Sequence, residues 1–446
     1  MKNVTLNDIV KATGGVFHGD AAALSIPVTS VVRDNREAAP GSLFAAFVGE
    51  RSDGNDYIEA ARTAGAVAAL GSRPEKAGAL PYIEVADSGK ALGDIGRWYR
   101  SLFRGPVIGV SGSVGKTTAK EMIAAVLKEK FSVLMTEKNL NNDLGVPLTV
   151  CRLDDSFDVA VIEMGISDFG EMDYLAGISR PDIGVLTNCG RAHLEALGDR
   201  RGVLRAKTEM MAHIPGGGLA LLNGDDDLLR DYLPPTGVRR RLFGTEANSD
   251  VRAVDISNGP EGCACTIGGC RLSTIYQGRH LVYSMLPAYA IGKELGLSEA
   301  DIARGVAAFA PLAGRGNIVK GPRCTVIDHT YNANPSSTKA ALASLAAMSG
   351  RKVAVLGDMY ELGEDSRELH REVGKSGKEA AQLVIAVGEL AQDIRDGAGA
   401  DCPWFPTVDE AIAALDSLIR PGDTVLVKAS NAMKLGRIVQ ALQELA

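Results

Sequence analysis

The sequence predicts an α/β protein of three domains, and three observations predict it. At 446 residues the chain has room for about three units of roughly 150 residues each. From Val107 onward, short apolar runs alternate with helical stretches, as in a mainly parallel sheet with helices on its faces. A glycine-rich loop follows the first of these runs, and a second set of runs begins beyond the glycines of Leu312-Ala313-Gly314-Arg315-Gly316.

Taken in order, residues 1–82 alternate short apolar runs with turn signals such as Ala39-Pro40-Gly41 and Asp53-Gly54-Asn55-Asp56, which reads as a small α/β unit. The strands expected next lie at 107–110, 159–162, 183–187 and 219–222, within a central domain placed at 83–314. A third domain, 315–446, takes its strands from 325–327, 353–356, 384–387 and 424–427. Short-period repeats and low-complexity tracts are absent, so solenoids and disordered tails are excluded.

Composition narrows the function classes. With 46% hydrophobic residues, the chain can bury a substantial core. No apolar stretch approaches the roughly 18 residues of a membrane-spanning helix, and the first ten residues lack the layout of a signal peptide, so the expectation is a cytoplasmic protein off the membrane. The 48 Lys+Arg against 55 Asp+Glu give a net charge of -7, which argues against a nucleic-acid partner. The one basic run, Arg239, Arg240 and Arg241, follows Pro234 and Pro235 and reads as a solvated loop. Seven cysteines, an odd number over a long chain, read as reduced thiols. Cys263, Cys265 and Cys270 fit no common zinc spacing and read as small buried residues of a hairpin around Gly268-Gly269.

The strongest chemical signal is Gly109-Val110-Ser111-Gly112-Ser113-Val114-Gly115-Lys116-Thr117-Thr118, between an expected strand and the helical run 119–127. Glycines let backbone N–H groups turn toward phosphate oxygens, and the helix behind presents its positive end. Lys116 reaches the terminal phosphates, and the Thr117 hydroxyl can ligate Mg²⁺. The match is to the short form G-x-x-G-K-T, because Val110 stands where the longer consensus has glycine. Glu163, at the end of the strand 159–162, is either an Mg²⁺-holding carboxylate opposite Thr117 or a solvated strand end. His193 is either a ligand or an ordinary satisfied histidine, and Lys207 by default is a solvated helix residue.

Five segments in order, Gly112-Ser113-Val114-Gly115-Lys116-Thr117-Thr118, Asn141-Asn142-Asp143-Leu144-Gly145-Val146-Pro147-Leu148-Thr149, Gly190-Arg191-Ala192-His193-Leu194-Glu195, Tyr331-Asn332-Ala333-Asn334-Pro335 and Leu356-Gly357-Asp358-Met359-Tyr360-Glu361-Leu362-Gly363, resemble the Mur ligase family over nearly the whole chain. The resemblance implies an N-terminal UDP-sugar-binding domain, a central ATP-binding domain and a C-terminal Rossmann-like ligase domain. It implies an enzyme that joins D-alanyl-D-alanine to UDP-N-acetylmuramoyl tripeptide, with a monomer as the default oligomeric state. ATP would phosphorylate the peptide carboxylate, and the incoming amine would attack the acyl phosphate. By this similarity Gly112, Gly115, Lys116, Thr117, Thr118 and Asn142 serve ATP, and Arg315 and Asp328 reach it from the third domain. Thr117, Glu163, His193 and Lys207 gather Mg²⁺, and Lys116, His193 and Lys207 act in catalysis. Lys207 matches a lysine that several members carbamoylate.

The same resemblance gives Asp34, Arg36, Phe44, Asp53 and Asn55 to the uridine nucleotide, where the plainer reading is a pair of surface turns. Asp358 and Glu361 would meet substrate on closure of the third domain, excluding water from the acyl phosphate. The chain departs from the family pattern at Leu281 and Ser284, where two asparagines are usual, at His329 beside Asp328, and at Asn431 in Lys428-Ala429-Ser430-Asn431. These departures leave two alternatives: a nucleotide-binding scaffold or regulator on the same fold, and a folate-type amino-acid ligase.

Overall fold

The computed structural model describes every residue except 50, 51, 191, 192, 260, 313 and 446. Its strands form three sheets, each with its own apolar core. The first sheet joins β1 (Val16–His18), β5 (Tyr82–Glu84), β4 (Ala68–Gly71), β3 (Ser42–Ala45) and β2 (Ser30–Val32) in that order. The expected break after residue 82 falls inside β5. The helix Ser88–Arg100 buries Ala91, Leu92, Ile95 and Tyr99 with Leu43, Leu70 and Ile83 of the first sheet. Its other side meets the second unit: a Cβ on Gly93 would lie 2.2 Å from the Tyr174 hydroxyl, and Arg100 Nε donates to the Ser179 carbonyl oxygen at 2.7 Å. The helix therefore belongs to both cores.

The second sheet has nine strands. From one edge it runs β7 (Val133–Met135), β8 (Val159–Glu163), β6 (Val107–Ser111), β9 (Ile183–Leu186), β10 (Leu219–Asn223), β11 (Arg239–Gly244) and β12 (Val251–Gly259), all parallel. It ends in the antiparallel pair β13 (Gly262–Ile267) and β14 (Cys270–Thr274). The four strands expected at 107–110, 159–162, 183–187 and 219–222 are its centre. The hairpin turns at Gly268-Gly269, both at positive φ, which suits a tight two-residue connection. Cys263, Cys265 and Cys270 are buried there as free thiols.

The arginine run is not a loop. Arg239, Arg240 and Arg241 open β11, paired in parallel with Leu219, Ala220 and Leu221 of β10. The proline pair ends before the strand begins. The charges are tolerated because the strand starts at the surface: Arg239 and Arg241 pair with Glu294, at 2.5 and 3.7 Å, before Phe243 enters the core.

The third sheet runs β15 (Asn317–Lys320), β16 (Cys324–His329), β20 (Asp423–Lys428), β17 (Lys352–Gly357), β18 (Leu383–Val387) and β19 (Trp404–Phe405), parallel except at β15. The helices Pro335–Ala346, Ser366–Ala380 and Ala391–Ala398 cover one face, and Val408–Leu418 and Gly436–Glu444 the other. No helix among the described residues is long and apolar enough to cross a membrane.

Candidate active site

Parallel sheets bind ligands at the carboxyl ends of neighbouring strands whose following helices leave toward opposite faces. In the second sheet this occurs at β6 and β8. The helix Lys116–Leu127 after β6 packs on one face, and Glu171–Ser179 after β8 packs on the other. In the third sheet it occurs at β16 and β20, followed by Pro335–Ala346 and Gly436–Glu444 on opposite faces. Both crevices open into one cavity of about 670 Å³, lined by residues 113–118, Asn141, Asn142, Glu163 and His193 from one side and by Arg315, His329, residues 331–334 and Lys428 from the other.

The phosphate loop is built by its own backbone and by the end of β9. The Ser113 N–H donates to the Asn188 carbonyl oxygen and the Val114 N–H to Asn188 Oδ1, both at 3.0 Å. Thr187 Oγ1 donates to the Val114 carbonyl oxygen at 2.6 Å. That hydroxyl leaves no room for a side chain at position 112, where φ is 148° and a Cβ would lie 1.9 Å from Thr187 Oγ1. Gly115, at φ 80°, precedes the first turn without a side-chain cap, so the N–H groups at the helix start are available to an anion. Lys116 Nζ curls back onto the Gly112 carbonyl oxygen at 2.8 Å. Burial, with Arg315 adding to it, lowers the Lys116 pKa against the pull of Glu163. Gly112 shapes the loop from below, while Gly115, Thr117 and Thr118 line the cavity.

Glu163 sits at the end of β8, beside the loop. Its Oε1 accepts hydrogen bonds from Thr117 Oγ1 and Asn141 Nδ2, each at 2.9 Å. Its Oε2 is buried and has no hydrogen-bond partner among the described residues, with Lys120 Nζ at 3.9 Å. Lys207 is fully buried in the helix Arg200–Thr208, and its Nζ also lacks a hydrogen-bond partner among the described residues. Burial, aided by the Lys116 charge, pushes its pKa down to about 7. The solvated-helix reading of Lys207 therefore does not describe it. His193 lies on the cavity wall in a left-handed conformation, φ 55°, and burial lowers its pKa despite Glu361 Oε2 at 2.8 Å from Nδ1. Among the described residues no three His, Cys, Asp or Glu side chains cluster. The set fits Mg²⁺, a hard ion that takes few protein oxygens and completes its shell with phosphate and water. Glu163 offers an unpartnered buried carboxylate oxygen, and Thr117 a hydroxyl beside it.

The third domain contributes its wall unevenly. Arg315 lies over the Tyr331 ring, 3.7 Å from its centroid, and faces the cavity. Asp328 is not among the residues that line it, and its Oδ1 accepts from the Thr330 N–H and Oγ1 at 3.0 and 2.7 Å. His329 does line the cavity, and its ring meets His280 of the second domain edge-on at 6.4 Å. Asn142 is exposed on the cavity rim. Asp358 is buried, and its Oδ1 caps the helix Ala391–Ala398 by accepting from the Ala391 N–H at 2.8 Å. Burial raises its pKa. Glu361 is exposed at φ 62° and reaches the second domain through His193.

The first-domain residues lie outside this cavity. Asp34 and Arg36 form an exposed ion pair in a 3₁₀ turn, which holds the Asp34 carboxyl down to about 2. Asp53 accepts from Asn55 and pairs with Arg73 and Lys76 at 2.7 and 3.0 Å. Asn55 is buried, its Oδ1 accepting from the Tyr82 hydroxyl. Phe44 is buried in the core beneath. The linker residue Ala313 and the motif residues Arg191 and Ala192 fall outside the described residues.

Sequence reasoning did not single out Lys120, Asn188, Asp225 or Tyr283. Tyr283 donates to Asp225 Oδ2 at 2.8 Å on the cavity wall near Ser284. None of these residues stands in a local motif, and only tertiary contact brings them to the site.

Comparison with known proteins decides what this arrangement belongs to. The family description "Mur ligase middle domain" matches residues 110–292, "Mur ligase, glutamate ligase domain" matches 314–431, and "Mur ligase family, catalytic domain" matches 27–100. The UDP-N-acetylmuramoyl-tripeptide--D-alanyl-D-alanine ligase of Escherichia coli K12 is 35% identical over 454 residues, covering 100% of this chain and 99% of its own. The chain belongs to the Mur ligase family. This Mur ligase is an ATP-dependent ligase with the three-domain α/β fold expected for it. A crystal structure of MurF from Acinetobacter baumannii superposes with a TM-score of 0.90 at 32% identity, covering 99% of this chain and 98% of that one. MurF from Thermotoga maritima, crystallised with ADP, gives 0.84 at 28% identity over 94% and 97% of the two chains.

Proposed function

We propose that this chain joins D-alanyl-D-alanine to UDP-N-acetylmuramoyl tripeptide in peptidoglycan synthesis, at the expense of ATP. The observation that carries the reading is the single cavity in which the phosphate loop and Glu163 face Arg315 and Lys428. A carboxylate is a poor electrophile. Its oxygen attacks the γ-phosphorus of ATP, ADP leaves, and the acyl phosphate so formed is attacked at its carbonyl carbon by the amine, with loss of phosphate.

The residues divide this work. Gly112 and Gly115 shape the loop, Thr118 lines it, and the helix N–H groups with Lys116 receive the phosphates, Lys116 swinging from Gly112 to do so. Asn142 borders the transferred phosphate, and Arg315 reaches it from the third domain. Asp328 reaches the nucleotide beside Arg315, its Oδ1 held by the Thr330 N–H and hydroxyl. Thr117, Glu163, His193 and Lys207 would hold Mg²⁺, which when bound neutralises charge on the transferring oxygens. Asp34, Arg36, Asp53 and Asn55 take the uridine nucleotide, with the Arg36 guanidinium exchanging Asp34 for phosphate. Glu361 bridges the domains at His193, and Asp358 holds the strand end that carries it.

Lys207 is carbamoylated in this reading. CO₂ adds to an unprotonated amine, and a buried Nζ without a partner, held near neutrality, is such an amine. The product is an anion in place of a cation. Labelled bicarbonate should give a carbamate NMR signal that Lys207→Met lacks, and its absence from active wild-type enzyme would refute the assignment. The enzyme acts as a cytoplasmic monomer, which sedimentation can check.

Phosphate release tests the whole proposal. Release should require UDP-N-acetylmuramoyl tripeptide and D-alanyl-D-alanine together and should fall at least about 100-fold in Lys116→Ala. A Lys116→Ala enzyme that keeps most of its rate would place the nucleotide elsewhere.

A further inference from the structure

Lys428 ends β20, the strand whose two neighbours both send their following helices to the opposite face, so its side chain stands at the crevice of the third domain. It is buried, lines the same cavity as the phosphate loop, and its Nζ donates one hydrogen bond, to the Asn332 carbonyl oxygen at 2.8 Å. Among the described residues no carboxylate pairs with it. The groups facing it are a cation and two imidazoles: Arg315 from the turn before β15, His329 directly across on β16, and His280 from the second domain. On its β17 side the partner is Leu356, and Asp358 beyond it is turned to the Ala391 N–H. The segment that follows carries no charge before the exposed Lys434.

An ammonium set this way has burial and a like charge against it and nothing ionic for it, so its pKa falls to about 7. A lysine that is permanently charged suits anion capture, whereas one that is readily neutral offers a lone pair to a proton donor. The mechanism above leaves such a need unmet. An amino-acid amine arrives as an ammonium and cannot attack carbon until a proton is removed. Of the residues assigned so far, Glu163, His193 and Lys207 are given to Mg²⁺, Lys116 to the phosphates, Glu361 to His193 and Asp358 to the Ala391 N–H.

We propose that Lys428 is the base that takes the proton from the acceptor ammonium in the amide-forming step. This rests on the ligase function proposed above. The balance closes as follows. The first ammonium proton passes to Lys428 Nζ and the freed nitrogen pair bonds to the acyl carbon. Collapse of the tetrahedral centre breaks the carbon–oxygen bond to phosphate, and the second proton leaves with the phosphate as hydrogen phosphate. Lys428, now an ammonium, returns its proton to water.

The test separates the two half-reactions in the full-length chain. With ATP and UDP-N-acetylmuramoyl tripeptide but no dipeptide, hydroxylamine traps the acyl phosphate as a hydroxamate. Its nitrogen is already unprotonated at neutral pH and needs no base. Lys428→Met and Lys428→Arg should both form hydroxamate within about threefold of wild type, which also shows that they fold. Both should lose about 100-fold or more in kcat for ligation of D-alanyl-D-alanine. In both, ligation should climb about tenfold per pH unit where the wild-type profile has already levelled. Retained ligation in Lys428→Arg would mean that a fixed charge suffices and would overturn the proposal. So would a raised KM for the dipeptide at unchanged kcat and pH profile, or hydroxamate formation that falls in step with ligation. If wild-type enzyme makes no hydroxamate, the ligase function itself fails, an outcome distinct from all of these.

Discussion

Gly112→Ala puts the geometry of the phosphate loop to a quantitative test. The new Cβ would stand 1.9 Å from Thr187 Oγ1, more than an ångström inside ordinary contact, and 3.1 Å from Thr187 Cβ. Thr187 cannot move freely, because it is buried and its hydroxyl donates to the Val114 carbonyl oxygen. Rotating it away costs about 1–3 kcal/mol for the unsatisfied buried groups, and holding an L-residue at φ 148° costs about 1–3 kcal/mol more. The lower-energy escape is a displaced loop, so the combined cost of about 2–6 kcal/mol should appear as lost ATP affinity, about 30-fold to about 25,000-fold. Calorimetric titration with Mg-ATP measures this, and thermal unfolding should move little because the apolar cores are untouched. Adding Thr187→Ala removes the clashing oxygen but not the φ strain, so the double variant should recover part of the loss, as a coupling energy of about 1 kcal/mol or more. ATP binding by Gly112→Ala within about threefold of wild type, or strict additivity of the two changes, would refute the argument.

Three further outcomes follow from the same geometry. Glu163→Gln takes the charge from an oxygen that has no other partner, and it should raise the Mg²⁺ needed for half-maximal activity about tenfold or more; an unchanged Mg²⁺ titration would remove Glu163 from the metal site. Burial depresses the folded-state pKa of Lys428 to about 7, so between there and the ordinary lysine range the unfolded chain binds more protons and stability rises with pH; denaturant titrations below about pH 8.5 should show Lys428→Met more stable at pH 7 and the gap narrowing by up to about 1.4 kcal/mol per pH unit, and a constant gap would contradict this. All seven cysteines are buried free thiols, and burial pushes those of Cys151, Cys189 and Cys265 up to about 12, so a thiol reagent at about pH 8 should react only as the protein unfolds; an immediate equivalent of reaction would show an exposed thiol.

What the sequence disclosed about the site depended on how local each feature is. The phosphate loop is a strand, a turn and a helix start within ten residues, and its glycines are needed where they stand, so pattern alone located it. The hairpin at Gly268-Gly269 was legible for the same reason. The arginine run was misread because charge at a strand's surface end outweighed the pattern of Leu242 and Phe243 behind it. Lys207 on its helix looks like any solvated lysine. Its burial, and the Lys116 charge that acts on it, come from tertiary structure, which a local reading does not contain. Asp358, read from its motif, also caps a helix that begins at Ala391, a contact 33 residues along the chain that the motif does not contain. The meeting of His280 with His329, and the bridge from His193 to Glu361, join residues of different domains and have no signature along the chain.

The charges left unpaired explain why the cleft sits where it does and why it is the least self-sufficient part of the protein. Elsewhere arginines and carboxylates find each other, as Arg351 does with buried Asp423 at 2.7 Å. Around the cleft Lys116 turns to a carbonyl oxygen, Lys428 to another, Lys207 to nothing, and Arg315 to an aromatic face. Each is a cation, or an amine kept from being one, that the core could have replaced with an apolar side chain at a gain in stability. A polyphosphate and a carboxylate substrate supply the missing negative charge, so binding relieves a cost the free protein carries. On that view Arg315, a permanent cation, carries the attraction of the third sheet's crevice for phosphate, while Lys428, readily neutral, is left for proton transfer.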